Sequence, residues 1–415
     1  MTKRRVVITG IGAVTPIGLN VPEFWDGLIS GKNGVAPITY FDTSKFDTQF
    51  AAEVKNFNPD NYFDKKSVKR LDRFTQFALA SSVEAIKDSA INLDKINKDR
   101  AGVIYGSGIG GLETMTNEHW KYFQDKNPAM ISPFFVPMMI SDLAAGQISI
   151  RFGLKGPNYA TTSACSTASH AISDAFMVLE RGSADIMVCG GSEASITEIG
   201  IGGFNAMRAL STWNDRYAEA SRPFDKDRNG FVMGEGGGTL ILEELNHALS
   251  RGAKIYAELA GIGLTADAHH ITAPAPGGEG AVRSMKIAVE DAGLLLTDID
   301  YINAHGTSTP HNDINETRAI KTLFGEHAYK LVVTSTKSMT GHLLGAAGAI
   351  EAISTILSIN NSLIPPTINL DNPDPECDLD YSAKKVTKKE VNAAISNTFG
   401  FGGHNASILF KKFEE

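Results

Sequence analysis

Asn158 to Gly182 reads NYATTSACSTASHAISDAFMVLERG, and this stretch decides how the rest of the chain is interpreted. It begins like a short strand and turns at Cys165. It then carries apolar residues at the i, i+3, i+4 spacing of a helix with one buried face. Arg181 in the last turn and Gly182 just beyond it are typical of a helix end. The spacing therefore predicts a strand, a turn and a helix, with Cys165 at the helix start.

The thiol of Cys165 has two interpretations. At a helix start it lies beside free backbone N–H groups and the positive end of the helix dipole, which would lower its pKa and favour the nucleophilic thiolate. Most cysteines, however, are simply small buried apolar residues. On this stretch alone both interpretations stay open, and partners elsewhere in the chain must decide between them.

Composition sets the broad class of the protein. The chain has 415 residues, a net charge of −8 and three widely separated cysteines. The acidic balance argues against a nucleic-acid binder, and the cysteine spacing fits neither a disulfide framework nor a metal site. The N-terminus lacks the apolar core of a signal peptide. The apolar run from Leu343 to Ile359 is short for a membrane span. We interpret it as a buried core helix and expect a cytoplasmic protein.

Strand-like runs alternate with helical patterns throughout, which predicts an α/β fold whose sheets are covered by helices. The length exceeds what a single core usually supports, so two fused halves are expected. Strands that end in Gly-Ile-Gly at 10–12 and 261–263 suggest where each half begins. We predict an N-terminal half at 1–252 and a C-terminal half at 253–415.

An internal repeat supports this division. The segment TSACSTASH at 162–170 aligns without gaps on TSTKSMTGH at 334–342, and each precedes a long helical pattern. The alignment predicts that Cys165 and Lys337 occupy equivalent turns, which a pseudo-twofold packing of the halves would bring together.

Four stretches place functional residue types at strand-to-helix turns, where open α/β sheets hold their sites. They carry Cys165, His305 in AHGTSTP, Lys337 with His342 in TKSMTGH, and the glycine-rich NTFGFGG at 397–403. A lone histidine is more often structural than catalytic. Two histidines beside a helix-start cysteine together indicate an active site. The glycine-rich segment suits an oxyanion hole, although an ordinary glycine turn explains it as well.

Glu351 is the only charge on a helix that looks buried on every side. A buried carboxylate is costly unless it is paired, and Lys337, just ahead of the same helix, is the expected partner. An ion pair that merely braces the turn and a direct chemical role for Lys337 are both open.

The run GSGIGG at 106–111 formally matches a dinucleotide-binding motif. We expect no regular helix directly after it, and no acidic residue stands about twenty positions further on to bind a ribose. We therefore do not interpret it as a nucleotide site.

Five basic residues lie within nine positions, and at helical spacing most of them share a face: Lys65, Lys66, Lys69, Arg70 and Arg73. A solvated basic face is the ordinary explanation. Docking of an acidic partner is the alternative.

Together these motifs resemble the β-ketoacyl-acyl-carrier-protein synthases, most of all the subtype of bacterial elongating synthases II. The resemblance runs from VVITGIGAVTPIG to GFGGHNASILF, nearly end to end. It implies a duplicated thiolase-like fold with two pseudo-symmetric halves in α-β-α-β-α layers. It also implies a homodimeric acyltransferase of fatty-acid synthesis that condenses malonyl-acyl-carrier protein with an enzyme-bound acyl chain. Acyl carrier protein is the implied partner, and no metal, redox cofactor, nucleic acid or membrane is implied.

The resemblance also assigns roles to individual residues. Cys165 would accept the acyl chain as a thioester, with the oxyanion held by the N–H groups of Cys165 and Phe401. His305 and His342 would stabilise the enolate formed when malonyl loses carbon dioxide. Lys337 matches the family lysine, and Glu351 matches its acidic companion.

Further residues are implied to line the pocket or bind the carrier protein. Phe399 and Phe401 would gate the pocket and Ile109 would limit the acyl length, so that GSGIGG becomes pocket wall. Carrier-protein docking falls on Lys65, Lys66, Lys69, Arg70 and Arg208. Many relatives have Thr where this chain has His404, which leaves the hydrogen bonding of that loop open.

Rival activities differ in single residues. A degradative thiolase needs a second active-site cysteine, but Cys377 lies in a polar stretch and Cys189 ends a predicted core strand. An initiating synthase would carry Asn in place of His342. A chain-length-factor-like partner subunit would lack the nucleophile that Cys165 supplies. The motifs do not separate a stand-alone polyketide-type synthase from a fatty-acid enzyme.

Overall fold

The computed structural model describes residues 3–414, and in that range it contains fourteen strands and thirteen helices. The strands are β1 Val6–Val14, β2 Ala36–Pro37, β3 Phe50–Ala51, β4 Ala101–Gly106, β5 Asn158–Tyr159, β6 Ile186–Glu193, β7 Gly236–Glu244, β8 Ala257–Ala266, β9 Tyr301–Asn303, β10 Val332–Thr334, β11 Leu363–Ile364, β12 Thr387–Lys388, β13 Ala393–Gly400 and β14 His404–Lys411. The helices are α1 Val21–Ile29, α2 Lys65–Val68, α3 Arg73–Asp88, α4 Leu112–Asp125, α5 Phe135–Met139, α6 Leu143–Phe152, α7 Thr167–Glu180, α8 Glu198–Ala206, α9 Leu245–Ser250, α10 Glu279–Asp291, α11 Pro310–Phe324, α12 Lys337–Thr340 and α13 Ala347–Asn361.

Ten strands are hydrogen-bonded in the order β5-β4-β6-β7-β1-β8-β14-β13-β9-β10. Each half contributes five strands. Counted from the sheet edge to its centre, the first half has the order β5-β4-β6-β7-β1, and the second half has the matching order β10-β9-β13-β14-β8. Strand directions match as well: β4 is parallel to β5 and β6, and β9 is parallel to β10 and β13. The halves join where β1 and β8 pair antiparallel from Val6↔Leu259 to Ile8↔Ala257. The fold is therefore the expected duplication.

Helices lie in three layers around the two five-stranded halves. On the outer face of the first half, α3 and α6 pack against β1, β4, β6 and β7, and α10 packs against β8 and β14 of the second half. Between the halves, α7 contacts β4, β6 and β14, while α13 contacts β13, β6 and β7. This arrangement confirms the predicted α-β-α-β-α layering and places α7 and α13 in the central layer.

Close backbone contact explains the paired glycine motifs. A Cβ on Gly12 would lie 2.0 Å from the Ser81 carbonyl oxygen of α3, and one on Gly263 would lie 1.9 Å from the Ser284 carbonyl oxygen of α10. These glycines lie within β1 and β8 and do not end them, which corrects the sequence interpretation. They let each long helix rest directly on its strand.

The two central helices begin in the same way. Ala164 and Leu344 have the unusual φ values of +50° and +48°, and each starts a three-residue 3-10 turn that leads directly into α7 or α13. Counted from these turns, Gly345 is the counterpart of Cys165. The predicted equivalence of Cys165 and Lys337 is wrong, because Lys337 begins the separate short helix α12.

Helix α13 accounts for most of the apolar run at 343–359. Its residues from Ala347 to Ile359 are all buried, as expected for a core helix in the central layer. No helix within residues 3–414 is long and apolar enough to cross a membrane.

Candidate active site

Cys165 lies in the turn ahead of α7 and is 7% exposed. The next residue anchors this turn to the C-terminal half: Ser166 Oγ donates to the carbonyl oxygens of Thr398 at 3.2 Å and His404 at 2.7 Å. A Cβ on Gly400 would lie 3.2 Å from the Cys165 nitrogen. The glycine-rich loop between β13 and β14 therefore packs directly on the cysteine turn.

Two histidines from the other half face the thiol. The Nε2 of His342 lies 3.0 Å from Cys165 Sγ, and the rings of His305 and His342 are perpendicular, with centroids 5.3 Å apart. One nitrogen of each ring and the sulfur all lie within 4.8 Å of one another. The structure thus brings the three predicted catalytic residues together, and their donor atoms are also close enough to bind a metal ion.

Backbone contacts hold the histidines in place. Glu316 of α11 accepts the backbone N–H groups of His305 and Gly306 at 2.8 Å each. The N–H of His342 donates to the Val232 carbonyl at 2.7 Å. The side chains therefore extend from fixed turns after β9 and before α13.

Lys337 and Glu351 form the predicted ion pair. Lys337 Nζ contacts Glu351 Oε1, and both side chains are 2% exposed. Burial raises the pKa of Glu351 to about 7 against the opposing charge of Lys337. Neither residue lines the cavity that contains Cys165. The ion pair therefore lies outside the cavity wall.

The protonation of Cys165 differs from the sequence expectation. Burial raises the pKa of its thiol to about 11, despite the nearby charge of Lys337 and the backbone N–H of Phe401. The expectation of a lowered pKa is wrong, because the loss of solvent outweighs the helix start. The thiol is protonated in the resting site, and His342 Nε2, 3.0 Å from the sulfur, can accept its proton.

Both histidines are neutral at pH 7. Burial, together with the charge of Lys337, lowers the pKa of His305 and of His342 well below the ordinary value. A neutral imidazole has one nitrogen that accepts a hydrogen bond and one N–H that donates one. Within residues 3–414, the Nδ1 atoms of both rings have no hydrogen-bond partner. Each ring can therefore accept a proton or donate to a substrate carbonyl without first losing a charge.

One cavity contains all the residues predicted to hold substrate. Its lining includes Cys165, His305, His342, Ile109, Phe399, Phe401 and Arg208. The Phe399 ring lies 6.0 Å from that of His305. A backbone hydrogen bond from Phe401 opposes the rise in the pKa of the Cys165 thiol, which places this N–H beside the sulfur.

The GSGIGG run forms part of the same cavity. Gly108 and Ile109 line it, which fits the interpretation as pocket wall. The expectation that no helix follows is wrong, since α4 begins at Leu112 directly after the last glycine.

The basic cluster is only partly as predicted. Lys65, Lys66, Lys69 and Arg70 are exposed, but none of them lines the cavity. Helix α2 ends at Val68, so the cluster is not one continuous helical face. Arg73 belongs to α3 and forms an ion pair with the buried Glu235 at 3.0 Å, which removes it from the free basic surface. Arg208 is exposed beside the cavity.

The sequence analysis missed two buried carboxylates. Glu193 lines the cavity, and Glu316 lies behind His305. A charge that closes the apolar strand ADIMVCGGSE was a signal for Glu193. His404, which was left open, has its ring 6.2 Å from that of His170. Cys189 and Cys377 are buried away from the cavity.

Comparisons with known proteins agree over the full chain. The family model described as "Beta-ketoacyl synthase, N-terminal domain" matches residues 3–248, and "Beta-ketoacyl synthase, C-terminal domain" matches residues 256–371. The 3-oxoacyl-(acyl-carrier-protein) synthase 2 of Synechocystis sp. is 52% identical over 414 residues, which cover 100% of this chain and 99% of the relative. The Staphylococcus aureus protein of the same name is 54% identical over 411 residues, 99% of both chains.

Solved structures show the same fold. A beta-ketoacyl synthase from Burkholderia phymatum superposes with a TM-score of 0.92 at 35% identity, covering 99% of this chain and 100% of that one. A ketosynthase of a type II polyketide synthase, in complex with its acyl-carrier protein and bound to the hexaketide, gives 0.93 at 33% identity, with both chains fully covered.

Proposed function

Because this chain belongs to the β-ketoacyl synthase family, we propose that it is a condensing acyltransferase of fatty-acid elongation. It joins an acyl chain held on Cys165 to malonyl-acyl-carrier protein, giving β-ketoacyl-carrier protein, carbon dioxide and free carrier protein. The observation that carries this proposal is the Cys165 thiol with two neutral histidines in one cavity, one of them 3.0 Å from the sulfur.

The first half-reaction is acyl transfer. His342 Nε2 takes the thiol proton, and the sulfur attacks the thioester carbonyl of acyl-carrier protein. Negative charge develops on the carbonyl oxygen, where the N–H groups of Cys165 and Phe401 stabilise it. The C–S bond to the carrier breaks, and the carrier's sulfur leaves as a thiol with the proton returned by His342. The acyl chain then occupies the cavity between Ile109 and Phe399.

The second half-reaction forms the carbon–carbon bond. With the proton of each neutral ring on the nitrogen that faces the substrate, His305 and His342 donate hydrogen bonds to the malonyl thioester carbonyl. The bond between the malonyl α-carbon and its carboxylate breaks, carbon dioxide leaves, and the bonding electron pair moves onto an enolate oxygen. The enolate carbon attacks the acyl thioester on Cys165. The C–S bond to Cys165 breaks, and the thiolate takes up a proton from water to restore the resting thiol. Neutral imidazoles suit this step because each can donate an N–H hydrogen bond to the enolate oxygen without adding a positive charge beside Lys337.

Lys337 tunes this centre from behind the cavity. Its charge stabilises the Cys165 thiolate and opposes protonation of both histidines. Glu351 holds the Lys337 ammonium in place. We assign both residues supporting roles.

Acyl carrier protein is the proposed partner, as it is for the relatives by name. The exposed side chains of Lys65, Lys66, Lys69, Arg70 and Arg208 offer the positive charge that an acidic carrier needs. We place the protein in the cytoplasm.

We propose a homodimer and the half boundaries at 1–252 and 253–415. Large apolar side chains are exposed on the excursion around α4 and α5, namely Trp120, Phe123, Met130 and Val136. Together with the short edge strand β5, they form the kind of surface that a second copy covers.

The junction between the family models, after residue 248 and before residue 256, supports the proposed boundary between the halves.

A polyketide-type role is the nearest alternative. The identity to the fatty-acid relatives, 52–54%, exceeds the 33% to the polyketide ketosynthase, and it favours fatty-acid elongation. A non-catalytic partner subunit would not need the Cys165 thiol beside its histidines.

Intact-protein mass spectrometry tests the proposal. The enzyme is mixed with acyl-carrier proteins of graded chain length and then with malonyl-carrier protein. We expect one acyl adduct on Cys165 that disappears as β-ketoacyl product forms, and no adduct on Cys165→Ala. An adduct formed only from acyl-CoA would favour the CoA-dependent relatives. The absence of any adduct would support the partner-subunit interpretation.

A further inference from the structure

Glu193 is a buried carboxylate that takes part in no step of the proposed reaction. It closes β6, has no exposed surface and yet lies in the wall of the active-site cavity. Burial raises its pKa to about 6, and the hydrogen bonds that it accepts oppose this rise. It is therefore largely ionised at pH 7 and above.

Five donors surround this carboxylate. Oε1 accepts from Ser107 Oγ at 3.0 Å, Ser195 Oγ at 3.2 Å and the Ile109 N–H at 3.3 Å. Oε2 accepts the N–H groups of Gly108 at 2.9 Å and Gly345 at 3.1 Å. The donors belong to three segments that are far apart in sequence: the turn after β4, the end of β6 and the turn before α13.

Glycines make this convergence sterically feasible. A Cβ on Gly108 would lie 2.7 Å from Glu193 Oε2 and 3.3 Å from the Ala164 carbonyl, and one on Gly345 would lie 2.3 Å from the Gly108 nitrogen. The backbone that carries Ile109 thus contacts the cysteine turn directly. Without the carboxylate, the N–H groups of this turn would lose their acceptor in a buried place.

We propose that Glu193 is a positioning residue that sets the acyl-chain length by fixing the turn that carries Ile109. Ile109 lies in the cavity wall with 42% of its surface exposed. The position of the Ile109 side chain depends on the hydrogen bonds that Ser107, Gly108 and Ile109 itself donate to Glu193. This inference rests on the proposed condensing function, since chain length has meaning only if Cys165 carries an acyl chain.

The test measures kcat/KM for acyl-carrier proteins of graded chain length in the wild type and in Glu193→Gln. The amide has nearly the same size, but its NH₂ group faces backbone donors, so the turn should loosen and admit longer chains. We expect the ratio of kcat/KM for long over short chains to rise about tenfold, the effect of losing one hydrogen bond to a charged group. A general loss of folded enzyme lowers both values alike and leaves the ratio unchanged.

Three further variants make the result decisive. Glu198→Gln, an exposed carboxyl in the first turn of α8, should keep the wild-type ratio. Glu193→Gln combined with Ile109→Ala should shift the ratio no further than Ile109→Ala alone. Ser107→Ala, which removes one donor to Glu193, should shift the long-over-short ratio of kcat/KM in the same direction. If Glu193→Gln does not fold, the ratio measured for Ser107→Ala tests the inference in its place. An unchanged ratio in the folded variants, or additive shifts, would overturn the inference. A wild type that forms no acyl adduct would instead overturn the proposed function.

Discussion

Replacing Lys337 with methionine should make the stability of the protein depend on pH in a new range. The pKa of Glu351 rises from its ordinary value of 4.5 to about 7 while Lys337 is present. A carboxyl with a higher pKa in the folded state binds more protons when folded, so the free energy of unfolding falls as pH rises from 4.5 to 7 and then levels off. Its total fall in the wild type is about 3 kcal/mol.

Without the lysine charge, the pKa of Glu351 rises further and the fall continues above pH 7. Each pH unit then removes about 1.4 kcal/mol. The variant should therefore lose about 3 kcal/mol more than the wild type between pH 6 and pH 9. Urea unfolding followed by circular dichroism at four pH values in this range measures the difference.

Two controls isolate the buried pair. Lys384→Met removes a lysine whose ion pair with Asp371 is about half exposed, and it should show the pH dependence of the wild type. Lys337→Met combined with Glu351→Leu should lose the extra dependence, because no buried carboxyl remains. A stability difference between Lys337→Met and the wild type that stays constant from pH 6 to pH 9 would refute the reasoning.

Other substitutions test further contacts. Gly12→Ala and Gly263→Ala should each destabilise the protein, because the new Cβ would lie 2.0 Å or less from a helix carbonyl oxygen. Gly203→Ala in α8, whose new Cβ meets nothing within 4 Å, should instead raise the unfolding free energy by about 0.5–1 kcal/mol. Urea titration separates the two outcomes. Cys165→Gln should abolish condensation but keep the release of carbon dioxide from malonyl-carrier protein, measured with labelled malonyl; loss of both reactions would contradict the role of the histidines. Ser166→Ala removes a 2.7 Å hydrogen bond to the glycine-rich loop and should cost about 1 kcal/mol and slow acyl-adduct formation; an unchanged adduct rate would separate this contact from the oxyanion site.

The sequence predicted features that depend on local pattern or on a lone charge. Helix α7 ends where expected, at Glu180, with Arg181 as its C-cap residue and Gly182 at φ +78° just beyond. The pairing of Lys337 with Glu351 followed from a single charge on an apolar helix, because a buried charge needs a partner. The three predicted catalytic residues came from separate motifs, and the fold brings their side chains together.

Features that depend on burial or on distant segments were not predictable in this way. The pKa of Cys165 rises because solvent is excluded by both halves at once, which no local stretch reveals. The repeat alignment relied on identical residues and contained no information on backbone conformation. It therefore matched Cys165 to Lys337, whereas the structurally equivalent residue is Gly345. Glu193 escaped notice because four of its five donors come from turns more than 80 positions before it or more than 150 after it.

The crowded turn before α13 limits how many acyl groups one chain can carry. The duplication provides two equivalent turns, but a side chain at position 345 would collide with the Gly108 nitrogen and with Glu193. Only the turn of the N-terminal half has room for a nucleophile. Titration with an acyl donor should therefore saturate at one equivalent per polypeptide, and the second turn serves as a wall for the substrate bound at the first.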